Sequence, residues 1–328
     1  MPLLASLSFG YFPALLFAYL LIWVDRYEKE PVMLLGVVFI WGAIVAACGA
    51  FIINTVLGLG IFIFTNSEVA TDIATGSLIA PIVEEILKGI AVLGVFFIFQ
   101  KEFDSVLDGV IYAGVTALGF AATENSYYIY SYGFIDSGWQ GFWKLVFVRV
   151  ILVGLQHPFY TAFTGIGLAI SRLNRNLVIK IGAPLLGISI AMFTHAFHNT
   201  LGSILSGFSG LVIGTLFDWT GWFFMLCFLV WAIFKEKQTM RIYLLEEVEQ
   251  GHINSYQYRI AISVFAQIQV KFLALFKGSY HSTRRFFQLC GEIAHKRSQF
   301  INLGDENGNL PIIQSIQVEL ARLSPFIH

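Results

Sequence analysis

The chain has 328 residues, of which 57% are hydrophobic and only 12% are charged, and its formal net charge is −1. Because a soluble domain carries roughly 25% charged residues, this composition excludes a water-soluble globular protein. The near-zero net charge excludes a strongly basic protein that binds nucleic acids. The composition and a mean hydropathy of +0.73 together indicate an integral membrane protein, which is embedded in the lipid bilayer.

Apolar windows long enough to span a bilayer follow one another up to residue 234. A hydrocarbon core of about 30 Å needs roughly 20 apolar residues of helix. The windows are continuous rather than alternating, which predicts helices and not a β-barrel. Seven windows qualify, of which the first is short: about residues 9–24, 33–57, 77–100, 105–130, 142–171, 178–203 and 207–234. The predicted fold is all-α: a polytopic membrane helical bundle of about seven transmembrane helices.

Basic residues in the connecting segments predict the orientation of this bundle. Arg26 and Lys29 lie between the first two windows, and Arg172 and Arg175 lie between the fifth and sixth. The opposite side has no Lys or Arg before Lys144. By the positive-inside rule, the N-terminus is predicted to lie outside and the C-terminus in the cytoplasm.

The sequence changes character at residue 235, where mixed polar sequence replaces the apolar windows. We therefore predict a transmembrane domain over residues 1–234 and a mostly helical cytoplasmic tail over residues 235–328. Apolar residues recur in this tail at about one-turn spacing, with basic residues nearby: Ile260, Val264, Ile268 and Phe272. Two interpretations stay open, namely a tail on the anionic inner leaflet and a small helical domain with a solvated basic face.

The third window contains ionisable side chains, each of which costs at least a few kcal/mol inside a membrane. Its sequence, IAPIVEEILKGIAVLG, puts Glu84 and Lys88 on one helix face and Glu85 about 100° away. A buried ion pair between Glu84 and Lys88 would serve helix packing, but it leaves Glu85 unexplained. Two carboxylates with one ammonium also leave a surplus negative charge if both ionise.

The next three windows each hold a carboxylate or an imidazole. The fourth contains Glu124, on a helix whose small residues recur every four positions and favour close packing. The fifth contains Arg149 and His157, which are about two turns apart and are therefore predicted to lie on nearly the same side. The sixth puts His195 and Asn199 on one face. One shared polar cavity explains this recurrence more simply than four independent packing roles. Such a set can bind a divalent metal or deprotonate water with a buried glutamate.

Four short motifs in these windows, EEILK, GFAATEN, the His157 segment with TAFTG, and HAFHN, together resemble the PrsW family of intramembrane proteases. That family is distantly related to the CAAX-processing and bacteriocin-processing membrane endopeptidases, and the resemblance covers roughly residues 20–205. It implies an endopeptidase of the bacterial inner membrane that hydrolyses a peptide bond of a membrane-associated protein. In the family pattern, the paired glutamates and the later histidine carry hydrolysis, which here are Glu84, Glu85 and His195.

The resemblance also implies roles for the remaining polar residues. Glu84 is predicted to be the general base, while His195 and Asn199 stabilise the oxyanion and the second glutamate adjusts the charge or protonates the leaving amine. Glu124 and His157 complete the predicted catalytic set, either as metal ligands together with His195 or as groups that orient the attacking water. Glu124 stands where relatives have the histidine of an FxxxH motif, so both a zinc-bound water and a metal-free water remain open. The implied substrate is a membrane protein, such as an anti-sigma-factor-like protein, or a lipidated peptide.

Two functions of other classes can use the same residues. A proton- or cation-coupled transporter would use them as a relay, but the inverted repeats and broken helices of such proteins are not visible in the sequence. A noncatalytic membrane scaffold is disfavoured by the complete set of motifs. Other intramembrane proteases fit worse, because HExxH is absent and the GFSG string at 207–210 has no later histidine within the membrane.

Overall fold

The computed structural model describes residues 1–205, 207–305 and 308–327, and these residues form helices and connecting turns with no strand. The all-α prediction is thereby confirmed. The chain divides into two compact units. The first comprises Met1–Ile22, Glu30–Arg172 and Asn176–Phe228, and the second comprises Trp23–Lys29, Leu173–Arg175 and Leu229–His328.

The first unit contains ten α-helices among the described residues, and the first and the last of these helices extend into the second unit. They are α1 (Pro2–Val24), α2 (Val32–Ile40), α3 (Ala47–Thr65), α4 (Glu68–Ala74), α5 (Ala80–Ile98), α6 (Val106–Tyr128), α7 (Asp136–Leu145), α8 (Gln156–Arg172), α9 (Leu177–Ile204) and α10 (Gly207–Tyr243). Several are joined by π-helical segments, at Trp41–Ala46, Thr75–Ile79, Ile129–Ile135 and Val146–Leu152.

The chain is a multi-pass membrane protein. Within the described residues, five helical stretches are long and apolar enough to cross a membrane, or six if the bent pair Ser255–Ala261 and Val264–Phe276 is one span. The sequence predicts about seven. The counts differ because the 67-residue stretch Val106–Arg172 contains two of the predicted windows. In addition, α5 carries three ionisable side chains and so is not a continuously apolar stretch.

Helices α6 and α8 pack backbone against backbone at two glycines. A Cβ atom on Gly109 would lie 2.3 Å from the Gly165 carbonyl oxygen, and one on Gly165 would lie 1.9 Å from the Gly109 carbonyl oxygen. Every residue of α6 from Leu107 to Ala122 is buried. The close packing predicted from the small residues of this helix is therefore confirmed, and residues 107–122 of α6 lie inside the bundle.

The second unit is a helical domain with a core of its own. Beyond α10, its helices are α11 (Leu245–Glu249), α12 (Ser255–Ala261), α13 (Val264–Phe276), α14 (Tyr280–Leu303) and α15 (Asn309–Leu323). The core forms around α14, whose Phe286, Cys290 and Ile293 are fully buried. A buried carboxylate, Glu247, is held by Arg297 at 2.5 Å. The prediction of a helical C-terminal region is confirmed.

Candidate active site

Five of the six residues predicted to be catalytic form one continuous set of contacts inside the first unit. They lie on α5, α6, α8 and α9, one or two from each helix. Two cations from the same windows complete the set. We call these seven residues the central cluster: Glu84, Glu85, Lys88, Glu124, Arg149, His157 and His195.

Glu85 is the most highly connected carboxylate of the central cluster. Its Oε1 accepts a hydrogen bond from Lys88 Nζ at 2.6 Å and lies 3.0 Å from His195 Nδ1. Its Oε2 accepts a hydrogen bond from the Thr161 hydroxyl at 2.8 Å. The side chains of Glu85 and Lys88 are both completely buried. The tight ion pair of α5 is therefore Glu85–Lys88 and not the Glu84–Lys88 pair that helical spacing suggests.

One carboxylate oxygen of Glu84, Oε2, accepts no hydrogen bond from the described residues. Its Oε2 lies 3.8 Å from Lys88 Nζ and 3.8 Å from His195 Nε2, which is beyond hydrogen-bonding distance. This oxygen is buried and has no hydrogen-bond partner among the described residues. A buried carboxylate oxygen without a partner is costly, so this atom faces a position that a proton, a water or a cation would stabilise.

Glu124 binds two partners from the next helical segments. Its Oε2 accepts a hydrogen bond from Arg149 Nη2 at 2.5 Å and lies 2.9 Å from His157 Nε2. Arg149 also donates through Nε to Asn125 Oδ1 at 2.9 Å. The other ring nitrogen of His157, Nδ1, lies 3.2 Å from Lys88 Nζ. His157 thus connects the α6 carboxylate to the ion pair on α5.

Asn199, the sixth predicted residue, makes its contact elsewhere. Its Nδ2 donates to the Gly76 carbonyl oxygen at 2.8 Å, and so fixes the π-helical segment that precedes α5. His195, one turn earlier on α9, has the contact with the cluster.

A second buried polar group lies beside the central cluster. Asp218 on α10 accepts a hydrogen bond from Gln156 Nε2 at 2.6 Å and lies 2.9 Å from His198 Nδ1. The Tyr160 ring is stacked on His195 with ring centroids 4.8 Å apart. Asp218, Gln156 and Tyr160 do not figure among the predicted site residues. The signal for Asp218 is present in the sequence, since it is a lone carboxylate in the seventh apolar window.

The donor set for a divalent metal among the described residues is Glu84, His157 and His195, whose ligand atoms all lie within 4.8 Å of one another. Two imidazole nitrogens and one carboxylate oxygen are typical of catalytic zinc sites, which keep a fourth position open. Glu85 at His195 Nδ1 is the carboxylate–histidine arrangement that supports metal ligands. His157 would have to exchange one present partner for the metal. With the unpartnered Glu84 oxygen, these residues fit a metal ion.

This donor set differs at one position from the ligands predicted from the sequence, Glu124, His157 and His195. In the structure, Glu84 offers its oxygen to the set, whereas Glu124 is occupied by Arg149 and His157. The Oε2 atom of Glu124 would have to leave the guanidinium before it could bind a metal.

A family model described as PrsW family intramembrane metalloprotease matches residues 30–233, more than half of the chain. The chain belongs to the PrsW family. The resemblance based on the four motifs is thereby confirmed, and the matched residues include the whole central cluster.

Two curated relatives are similar to part of this PrsW-family chain. Protease PrsW of Geobacillus kaustophilus (strain HTA426) is 33% identical over 110 residues, which are 33% of this chain and 45% of that protein. Protease PrsW of Clostridioides difficile (strain 630) is 35% identical over 107 residues, 33% of this chain and 43% of that protein. The matched part thus spans less than half the length of either relative. No solved structure matches the chain.

Proposed function

We propose that this chain is an intramembrane endopeptidase that hydrolyses a peptide bond of a membrane-associated protein. The observation that carries the proposal is the arrangement around Glu84. Its free carboxylate oxygen faces His195 Nε2 across 3.8 Å, while Glu85 holds the opposite nitrogen of that ring. A water bound to both groups would lie next to a base and a fixed imidazole in a buried site.

Each residue then has a role that its contacts support. Glu84 takes the proton of the attacking water, since its free oxygen is the base within reach. Glu85 fixes the orientation of His195, so that Nε2 points toward the water and the developing oxyanion. Glu124 orients His157, with Arg149 balancing its charge. Asn199 holds the segment before α5 through its amide, and the second N–H of that amide is the donor that we propose for the oxyanion.

We propose zinc as the metal, bound by Glu84, His157 and His195. Bound zinc would lower the pKa of a coordinated water and polarise the scissile carbonyl. The proposal that Glu84 acts as base concerns the metal-free form, because one carboxylate oxygen cannot bind the metal and accept the proton at once.

The family assignment favours proteolysis over the proton- or cation-coupled transport that the same residues would permit. We further propose the bacterial inner membrane as the location, with the N-terminus outside and the tail in the cytoplasm. The substrate class we propose is a membrane protein of the anti-sigma-factor kind. The basis for the orientation is the distribution of basic residues in the connecting segments.

The experiment compares cells that express the wild type, Glu84→Gln or Glu68→Gln. Glu68 lies on α4 and is exposed, so its substitution is a matched control of the same chemistry. New protein N-termini within membrane segments are identified by mass spectrometry. We expect them with the wild type and the control, and at least about 100-fold less with Glu84→Gln, because a general base contributes about 10²–10⁴-fold. Equal cleavage by folded Glu84→Gln would refute the assignment.

Metal content provides a readout that does not depend on activity. Purified wild type is expected to hold close to one zinc per chain, and His195→Ala to hold much less. A folded wild type that binds no zinc but still cleaves would establish the metal-free mechanism with Glu84 as base.

A further inference from the structure

Helix α13 of the second unit has an exposed apolar face. Its Phe265, Ile268, Phe272 and Phe276 are 71%, 50%, 57% and 77% exposed. At 100° per residue, these four side chains lie within about 80° of one another around the helix. Leu273 and Leu275 widen the apolar surface and are also exposed.

The opposite face of α13 packs into the core of its own unit. Gln267 and Ala274 are buried, and Val264 and Val270 pack against the core. Folding of the unit therefore uses one face of α13 and leaves the other uncovered. The apolar residues that recur at one-turn spacing in the sequence therefore do not share one face. Ile260 is buried in the core, whereas Ile268 and Phe272 face outward.

The chain segment that contains this apolar face carries charge of a single sign. The sequence between Glu249 and Glu292 contains no Asp or Glu, but it contains five basic residues: Arg259, Lys271, Lys277, Arg284 and Arg285. Lys277 directly follows the exposed Phe276 and is itself exposed, as is Arg284. Arg285 is paired with Glu292 and Glu319, and Lys271 lies over the core residue Phe287. The exposed cations of the segment are therefore Arg259, Lys277 and Arg284. An apolar stripe in a segment with exposed cations and no acidic residue complements an anionic lipid surface.

We propose that α13 lies on the surface of an anionic phospholipid bilayer, with its three phenylalanines and Ile268 entering the headgroup region. The second unit belongs to the same chain as the membrane-spanning helices and is linked to them through α10, so a bilayer is always nearby. A soluble protein partner would need an acidic, apolar groove of its own, and a second copy of this segment would bring like charges together. This proposal is independent of the proteolytic function.

The test uses the full chain with Cys48→Ala and Cys227→Ala, in which the remaining native cysteine, Cys290, is fully buried. An environment-sensitive fluorophore is attached at Phe272→Cys or, as a control, at Val318→Cys on α15, which is 73% exposed. Each protein is placed singly in nanodiscs of phosphatidylcholine alone or mixed with phosphatidylglycerol. A quencher on the lipid acyl chains reports entry into the bilayer.

We expect strong quenching at position 272 in discs with phosphatidylglycerol, weaker quenching in phosphatidylcholine, and little at position 318 in either. High salt should reduce the signal at 272. The additional change Lys277→Gln should lower the bound-to-free ratio about fivefold, because one basic residue near an anionic surface contributes about a factor of this size.

Two results would overturn the proposal. One is quenching at 272 in the phosphatidylglycerol discs that does not exceed quenching at 318. The other is shielding of the 272 label only in discs that hold two chains, which would identify a second copy as the occupant. The labelled positions are exposed, so unchanged thermal unfolding should confirm that both variants are folded.

Discussion

Glu85 connects more of the proposed site than any other residue, and Glu85→Gln is therefore the most informative substitution. The amide keeps the size of the side chain but cannot neutralise the positive charge of Lys88. It also presents one oxygen where the carboxylate presents two. In the variant an amide nitrogen replaces one of the two accepting oxygens, so at least one of the bonds from Lys88, His195 and Thr161 is lost or reversed in direction.

The expected cost to stability follows from the burial of the ion pair. Lys88 is completely buried, and after the substitution its nearest carboxylate is Glu84 at 3.8 Å. Removing one partner of a buried ion pair costs about 3–5 kcal/mol. The loss of the carboxylate behind His195 should lower kcat/KM and metal affinity about 10–100-fold.

The control is Thr161→Val, which removes one hydrogen bond to Glu85 and leaves those of Lys88 and His195 in place. It should cost about 1–3 kcal/mol and leave kcat/KM close to the wild-type value. Thermal unfolding in detergent, zinc binding and cleavage are measured for both variants. If Glu85→Gln retains wild-type stability and activity, the view that Glu85 organises the site is wrong.

Three further predictions concern helix packing, the second polar group and the tail. Gly109→Leu should unfold the protein or make it polydisperse, because the leucine side chain would overlap the Gly165 carbonyl. Gly94→Leu should be tolerated, since no atom lies within 4 Å of an added Cβ; size-exclusion chromatography compares the two. Asp218→Asn should cost about 1–3 kcal/mol by weakening two buried contacts, with little change in kcat; lost activity at unchanged stability would place Asp218 in the catalytic set. Burial and two neighbouring cations lower the pKa of Lys271 from 10.5 to about 8. Because the unfolded chain then binds more protons between those values, the second unit should gain stability as the pH rises from about 8 toward 10.5. Hydrogen exchange of α14, corrected for intrinsic rates, should show this gain in the wild type relative to Lys271→Gln; identical pH profiles would contradict it.

The sequence predicts which helices carry the polar residues because an ionisable group in an apolar window is recognisable by its cost. It predicts less well which groups bond to each other. On α5, both the three-residue and the four-residue spacing allow Lys88 to reach a glutamate. The side chain bonds to Glu85, since Thr161 and His195 from other helices hold that carboxylate in place. The choice depends on residues far away in the chain.

Irregular helix geometry limits the periodicity argument as well. A regular helix would put Arg149 and His157 on nearly the same side because they are about two turns apart. In the structure, Arg149 lies in the π-helical segment Val146–Leu152 and His157 lies at the start of α8. Both nevertheless bond to the same oxygen of Glu124. The prediction of proximity holds, although the regular helix on which it was based is interrupted between them.

The balance of charge in the central cluster supports the proposal that Glu84 is the reactive position. Three carboxylates meet two permanent cations, Lys88 and Arg149, and each cation makes its shortest ion pair with a different carboxylate, Glu85 and Glu124. The surplus negative charge therefore falls on Glu84, whose free oxygen has no hydrogen bond to offset its burial. A buried surplus charge is stabilised by binding either a proton or a divalent cation. Taking a proton from water and binding a metal both satisfy this requirement, so the same residues are compatible with either form of the proposed hydrolysis.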